Sequence, residues 1–316
     1  MLRLSLFMLI LLVTSVTAQT SRLETAYSYL ERGNTWVAKS EWDKAISDFD
    51  LAIATAPDYA GAYHNRALAR YRKGDLDGAL SDFDRALQLN PRFTDAYVNR
   101  SGARYARGDW EGVISDNTKA IEHQPRLAEA WNNRALARRE KGELAAALSD
   151  FNQAVKLNPK IGESYGNRGA VRHLLGDYDG AIMDFNQALK LNPRDDMTWS
   201  DRGAARARKG DLDGALSDYK QSLELAPNQA KTWFNRALAW KVKGDLEQAI
   251  ADYSRAIEIN HGFAEAYGQR GLCLLRQGKE AEAQSDFVRC LSLDKDLKSS
   301  LERRIREARQ ESALNR

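Results

Sequence analysis

Every 34 residues the chain sets a hydrogen-bonding side chain directly before an arginine: Glu31, Asn65, Asn99, Asn133, Asn167, Asp201, Asn235 and Gln269 precede Arg32, Arg66, Arg100, Arg134, Arg168, Arg202, Arg236 and Arg270. All eight of the first set accept hydrogen bonds, and the six amides among them also donate. Such a side chain can pair with a peptide unit whatever residue that unit belongs to. An aspartate follows each arginine at constant register (Asp48, Asp82, Asp116, Asp150, Asp184, Asp218, Asp252, Asp286). One-to-one matching of this kind predicts a structural ion-pair ladder between packed helices, since buried charges need partners. Arg70, Arg104, Arg138, Arg172 and Arg206 stand four residues after the first arginines and are placed to share the same aspartates. Chemistry of other kinds has little support. The histidines at 64, 123, 173 and 261 occupy four different register positions, and the chain has no HExxH, CxxC, glycine-rich phosphate loop or GxSxG elbow. No catalytic residue, metal or cofactor is expected, and the chain is not read as an enzyme. The 47 basic and 44 acidic residues leave a net charge of only +3, which argues against nucleic acid as a partner.

The elements that carry these rows must repeat with them. An aromatic opens each copy at Tyr29, Tyr63, Tyr97, Trp131, Tyr165, Trp199, Trp233 and Tyr267. Sixteen residues on comes a small or modest apolar residue (Ala45, Ala79, Val113, Ala147, Ala181, Ala215, Ala249, Ala283), where two helix axes must approach closely. A ring follows four residues later in every copy except one, where Asn117 stands. Gly-Asp or Gly-Glu pairs (Gly74-Asp75, Gly108-Asp109, Gly142-Glu143, Gly176-Asp177, Gly210-Asp211, Gly244-Asp245) suit a left-handed helix end followed by a cap for the next helix. All six prolines, at 57, 91, 125, 159, 193 and 227, open the connection to the next copy.

These marks resemble the tetratricopeptide repeat family over residues 26–297, in eight copies at 26–59, 60–93, 94–127, 128–161, 162–195, 196–229, 230–263 and 264–297. The resemblance implies an all-α, right-handed superhelical solenoid of helix-turn-helix repeats, closed here by a C-terminal capping helix over 298–316. It departs from the family in its recurring arginine, where an apolar residue is usual, and in His261 and Lys295, where the closing proline is absent. In this family the position before the arginine faces the concave groove, so the resemblance implies that Asn65, Asn99, Asn133, Asn167, Asp201, Asn235 and Gln269 bind the backbone of an extended peptide. The alternative is that these amides bond neighbouring helices, because repeats arise by duplication. Groove neighbours one residue before and three after the amide are mostly small or apolar, Gly102 and Leu136 among them, which leaves room for a ligand. Tyr71, Tyr105 and His173 lie further along the same helices. The lysines with which the chaperone-binding branch clamps a terminal carboxylate are missing, so that mode of recognition is not expected.

Residues 1–18 read as a secretory signal, with Arg3, an apolar run from Leu4 to Val13, and cleavage after Ala18; an uncleaved membrane anchor is the alternative. After the last repeat, Leu297, Leu301, Ile305 and Ala308 form one apolar stripe, and Ser299 with Glu302 is placed for a capping box. Cys273 and Cys290 fall roughly 13 Å apart along their helical hairpin, beyond disulfide reach, and are expected as buried free thiols. Asn99-Arg100-Ser101 fits a glycosylation acceptor but lies mid-helix, and is read as chance.

The expected function is a non-enzymatic, exported (periplasmic or secreted) scaffold that holds other proteins or peptides in its groove. A subunit of an envelope or secretion assembly, joined through the convex face or the ends, is the alternative.

Overall fold

The computed structural model describes residues 2–314, with side chains over 20–310. The segment read as a signal, 1–18, lies outside the residues whose side chains are described. Among the described residues all regular structure is helical: α1 (Leu2–Ala38), α2 (Trp42–Thr55), α3 (Ala60–Lys73), α4 (Leu76–Leu89), α5 (Thr94–Ala106), α6 (Trp110–His123), α7 (Ala128–Glu140) and α8 (Leu144–Leu157) make one unit, which ends at Asn158. The second unit holds α9 (Gly162–Leu174), α10 (Tyr178–Leu191), α11 (Asp196–Arg208), α12 (Leu212–Leu225), α13 (Ala230–Lys243), α14 (Leu246–Ile259), α15 (Ala264–Arg276), α16 (Glu280–Leu293), a short 3-10 turn (Lys295–Leu297) and α17 (Lys298–Leu314). In both units each helix packs on the next as antiparallel hairpins, the arrangement of a tetratricopeptide solenoid. No helix among the described residues is long and apolar enough to cross a membrane.

Local chemistry sets the hairpins. Gly74, Gly108, Gly142, Gly176, Gly210, Gly244 and Gly278 all have φ between 73° and 93°, which a side chain would strain, and Ser40 takes the same region in the first copy at φ 58°. The carboxylates of Asp75, Asp109, Asp177, Asp211 and Asp245 accept from the amide three residues on, at 2.9–3.1 Å. Glu143, expected to do the same, makes no such bond, because its longer side chain turns instead to Lys141. The residue before each proline is extended, as at Asn90 (φ −133°, ψ 89°). Asn260 and Asp294 adopt the same conformation without a proline after them.

Seven of the eight hairpins close on a ring of the second helix. Phe49, Phe83, Phe151, Phe185, Tyr219, Tyr253 and Phe287 are buried, a gain of about 1.5–3 kcal/mol each. A Cβ at Gly169, Gly203 or Gly271 would sit 2.8, 2.9 or 2.6 Å from the facing ring, so glycine is what lets these helices meet. In the third copy the ring is replaced by Asn117 and the facing residue is Ser101, both buried.

At the C-terminal end Leu301 and Ala308 of α17 are buried against Leu272, Leu275 and Phe287, covering the last hairpin. The expected capping box is corrected: Ser299 lies inside α17, and the chain is turned one step earlier, where Asp294 caps the 3-10 turn through the Asp296 amide at 2.9 Å. Cys273 and Cys290 are free and buried, as the hairpin register requires. Burial pushes both thiols up from the ordinary cysteine pKa, which keeps them protonated and inert.

Candidate functional site

Two layers meet on each first helix. The arginine layer is structural. In all eight copies the guanidinium grips the aspartate sixteen residues on through Nε and Nη2, at 2.5–2.9 Å. Each of these arginines also lies over the aromatic three residues before it, 4.6–5.7 Å from the ring centroid. A planar fork that is bonded at its edge and stacked on its face loses little by burial. The second arginines do share the same carboxylates: Arg70, Arg104, Arg138, Arg172 and Arg206 reach Asp82, Asp116, Asp150, Asp184 and Asp218 at 2.7–3.0 Å. In the first copy Trp36 takes that place, its indole donating to Asp48 at 3.0 Å. The Arg32 bond and charge hold the Asp48 carboxyl below its ordinary pKa.

The arginines also tie successive copies together, which the sequence reading did not foresee. The third donor, Nη1, reaches back to the previous second helix: Arg66 to Asp50 (2.5 Å), Arg100 to Asp84 (2.5 Å), Arg134 to Thr118 (3.0 Å), Arg202 to Asn186 (2.7 Å) and Arg270 to Ser254 (3.0 Å). A further ladder crosses the same joints, with Lys73 on Asp43, Arg107 on Asp77, Lys141 on Glu111, Lys209 on Asp179 and Lys243 on Asp213. Acid and base at a spacing of 30 residues is the signal that could have found it.

The hydrogen-bonding row lies on the other side of the arginines, on the faces where first helices also touch one another: α1 with α3, α3 with α5 and α5 with α7 in one unit, α9 with α11 and α11 with α13 in the other. Its members differ in what they already hold. Asn65 donates to Asn34 at 3.0 Å, and its carbonyl lies 3.1 Å from His64 Nδ1. Asn99 Nδ2 lies 3.0 Å from His64 Nε2. An amide nitrogen can only donate, so Nε2 is the acceptor and Nδ1 carries the proton. His64 is thus a neutral link between two asparagines; burial beside Phe83 and Phe93 pushes its pKa down, against the Asn65 bond that raises it. Gln269 accepts from Lys241 at 2.8 Å. Asp201 is not free either, and helps burial to raise the Tyr219 phenol. Asn133 and Asn235, both half-buried, have no partner among the described residues, and Asn167 has a buried Nδ2 with none. His173 packs edge-on against Tyr178 at 5.4 Å, and Tyr105 against Trp110 at 4.9 Å. Within the mid-helix Asn99-Arg100-Ser101, Ser101 is buried and bonded to the Val98 carbonyl. No group of three histidines, cysteines or carboxylates among the described residues is placed to hold a metal.

Tetratricopeptide repeat models match residues 33–104, 128–161, 162–195, 230–263 and 264–297. The chain belongs to the tetratricopeptide repeat family. Proteins of this family generally mediate protein–protein interaction, and its repeats typically serve as non-catalytic scaffolds. Among solved tetratricopeptide structures, YrrB, described as having an unusual peptide-binding site, is 23% identical with a TM-score of 0.50 and covers 58% of this chain and 95% of its own. A tetratricopeptide repeat protein of Parabacteroides merdae is 19% identical with a TM-score of 0.60, covering 79% of this chain and 99% of its own. The Cut9–Hcn1 hetero-tetramer of APC/C is 16% identical with a TM-score of 0.64 over 88% of this chain and 55% of its own. At such identities the likeness carries the fold alone. No curated protein matches the sequence.

Proposed function

We propose that the chain is an exported protein-binding scaffold that holds an extended segment of another protein along its first-helix faces, hydrogen-bonded to the segment's backbone. One observation carries this: at a single register position, Asn133, Asn167 and Asn235 keep amide groups that the fold itself does not use. Asparagine is a poor helix former, and the buried Nδ2 of Asn167 without a partner costs more still. A peptide unit offers both the acceptor and the donor that such an amide lacks. YrrB, with its peptide-binding site, supports peptide recognition on this fold. Asn65, Asn99 and Gln269 serve the scaffold in the free protein, so the binding row is narrower than the full register. Export rests on the basic start, apolar run and Val16-Thr17-Ala18 ending of the first residues.

Selection of displayed random peptides on the purified chain tests this. Peptides selected on the wild type should lose affinity for a variant carrying Asn133→Ala, Asn167→Ala and Asn235→Ala, with helix content unchanged by circular dichroism. Undiminished binding favours the alternative of an envelope-assembly subunit that works through other surfaces.

A further inference from the structure

The third copy breaks the repeat pattern on the same face. Gly102 takes the position held by Leu68, Leu136, Leu238 and Leu272 in other copies, and a Cβ placed on it would meet nothing within 4 Å. Beside that notch is a cavity of about 200 Å³, lined by Tyr71, Gly102, Tyr105, Val113, Asn133 and Leu136. No charged side chain lines it. Ser101, also at its wall, spends its hydroxyl on the Val98 carbonyl and makes no demand on a ligand. Tyr105 is held edge-on against Trp110, so that wall is preset. Asn133, without a partner of its own, is the polar group left at this cavity besides the two phenols.

Resting on the peptide-binding function proposed above, we propose that this cavity is a side-chain pocket for one large apolar residue, phenylalanine or leucine, of the bound segment, whose backbone pairs with Asn133. The size fits, since an apolar cavity of about 150 Å³ suffices for a benzene ring. The chemistry fits as well. A charged or strongly polar side chain would lose its hydration here and find no countercharge. Backbone pairing along the row tolerates any sequence, so this pocket is where the scaffold discriminates between segments.

The probe is N-acetyl-phenylalanine methylamide, one residue with both of its peptide units, titrated into the isotope-labelled full chain and followed by NMR. The expected result is saturable shifts of the Gly102 backbone amide and the Asn133 side-chain amide, with a dissociation constant of about 1 mM. The alanine and aspartate analogues should leave both signals unmoved. Gly102→Leu, which restores the residue found in four other copies, should keep the fold and weaken the phenylalanine probe about tenfold or more. Unmoved signals at saturating probe, equal response to all three probes, or full binding to Gly102→Leu would overturn the pocket. Binding of the phenylalanine probe together with peptide binding indifferent to the asparagines would instead remove the backbone-pairing function and leave the pocket standing. The reverse pattern removes the pocket alone.

Discussion

Arg66 grips Asp82 through Nε at 2.8 Å and Nη2 at 2.6 Å while its third nitrogen holds Asp50 of the previous hairpin at 2.5 Å. One side chain therefore fixes both the inside of a repeat and the joint to its neighbour. Asp82, itself buried, also holds Arg70 at 2.8 Å. Asp82→Ala leaves two arginines facing an empty site and is expected to cost about 3 kcal/mol, the lower end for a broken buried pair because Arg70 keeps part of its hydration. A urea denaturation midpoint measures it. Lys73→Ala, which removes only the exposed Lys73–Asp43 pair, should stay within about 1 kcal/mol of wild type.

Asn117 is fully buried; its Nδ2 donates to the Val113 carbonyl, and its Oδ1 has no partner. Asn117→Leu removes that unmet acceptor from a buried site. The expected gain is about 1 kcal/mol, read as a higher urea midpoint. A lower midpoint would show that the amide is an asset to the third repeat.

The acid response of the first hairpins has a defined sign. The Asp48 carboxyl is held below its ordinary pKa by Arg32, so its contribution to stability is complete above the unfolded-state value of about 4 and is lost as pH falls through the lower folded value. His64 is depressed too, by burial, so its neutral form favours the fold above about pH 6.5, and that contribution fades as pH falls through the lower folded value. Protonated His64 would also turn an N–H toward the Asn99 Nδ2 it now accepts from. Nitrogen-15 NMR of the imidazole should find the Nδ1–H tautomer at neutral pH. Thermal melts should show stability falling below about pH 6, with a smaller fall for His64→Gln.

The register of the helices, the Arg–Asp pairs and the shared second arginines were legible because each recurs at a fixed interval, and a contact made five or eight times at one spacing leaves a trace in one sequence. What occurs once left none. His64 links Asn65 to Asn99 in a single copy, and Asn34, at the first copy's groove position, becomes a partner only when α1 and α3 lie side by side. That contact decides which asparagines are already spent, and it depends on side-chain reach, which periodicity does not encode. The Lys73–Asp43 type of pair also has a constant 30-residue spacing, but it joins the end of one first helix to the start of the preceding second helix and so crosses the boundary between copies. A capping-box pattern such as Ser299 with Glu302 also occurs inside helices, and here Asp294 turns the chain before it.

The central claim is that the fold leaves Asn133, Asn167 and Asn235 for a ligand backbone. Its most direct test is the affinity of one selected peptide, by isothermal titration calorimetry, for the wild type and for the variant with all three changed to alanine. Each hydrogen bond contributes about 1 kcal/mol, so the account predicts about a fivefold loss for every amide the bound segment engages, with the helical fold intact. An unchanged dissociation constant in a folded triple variant would contradict it.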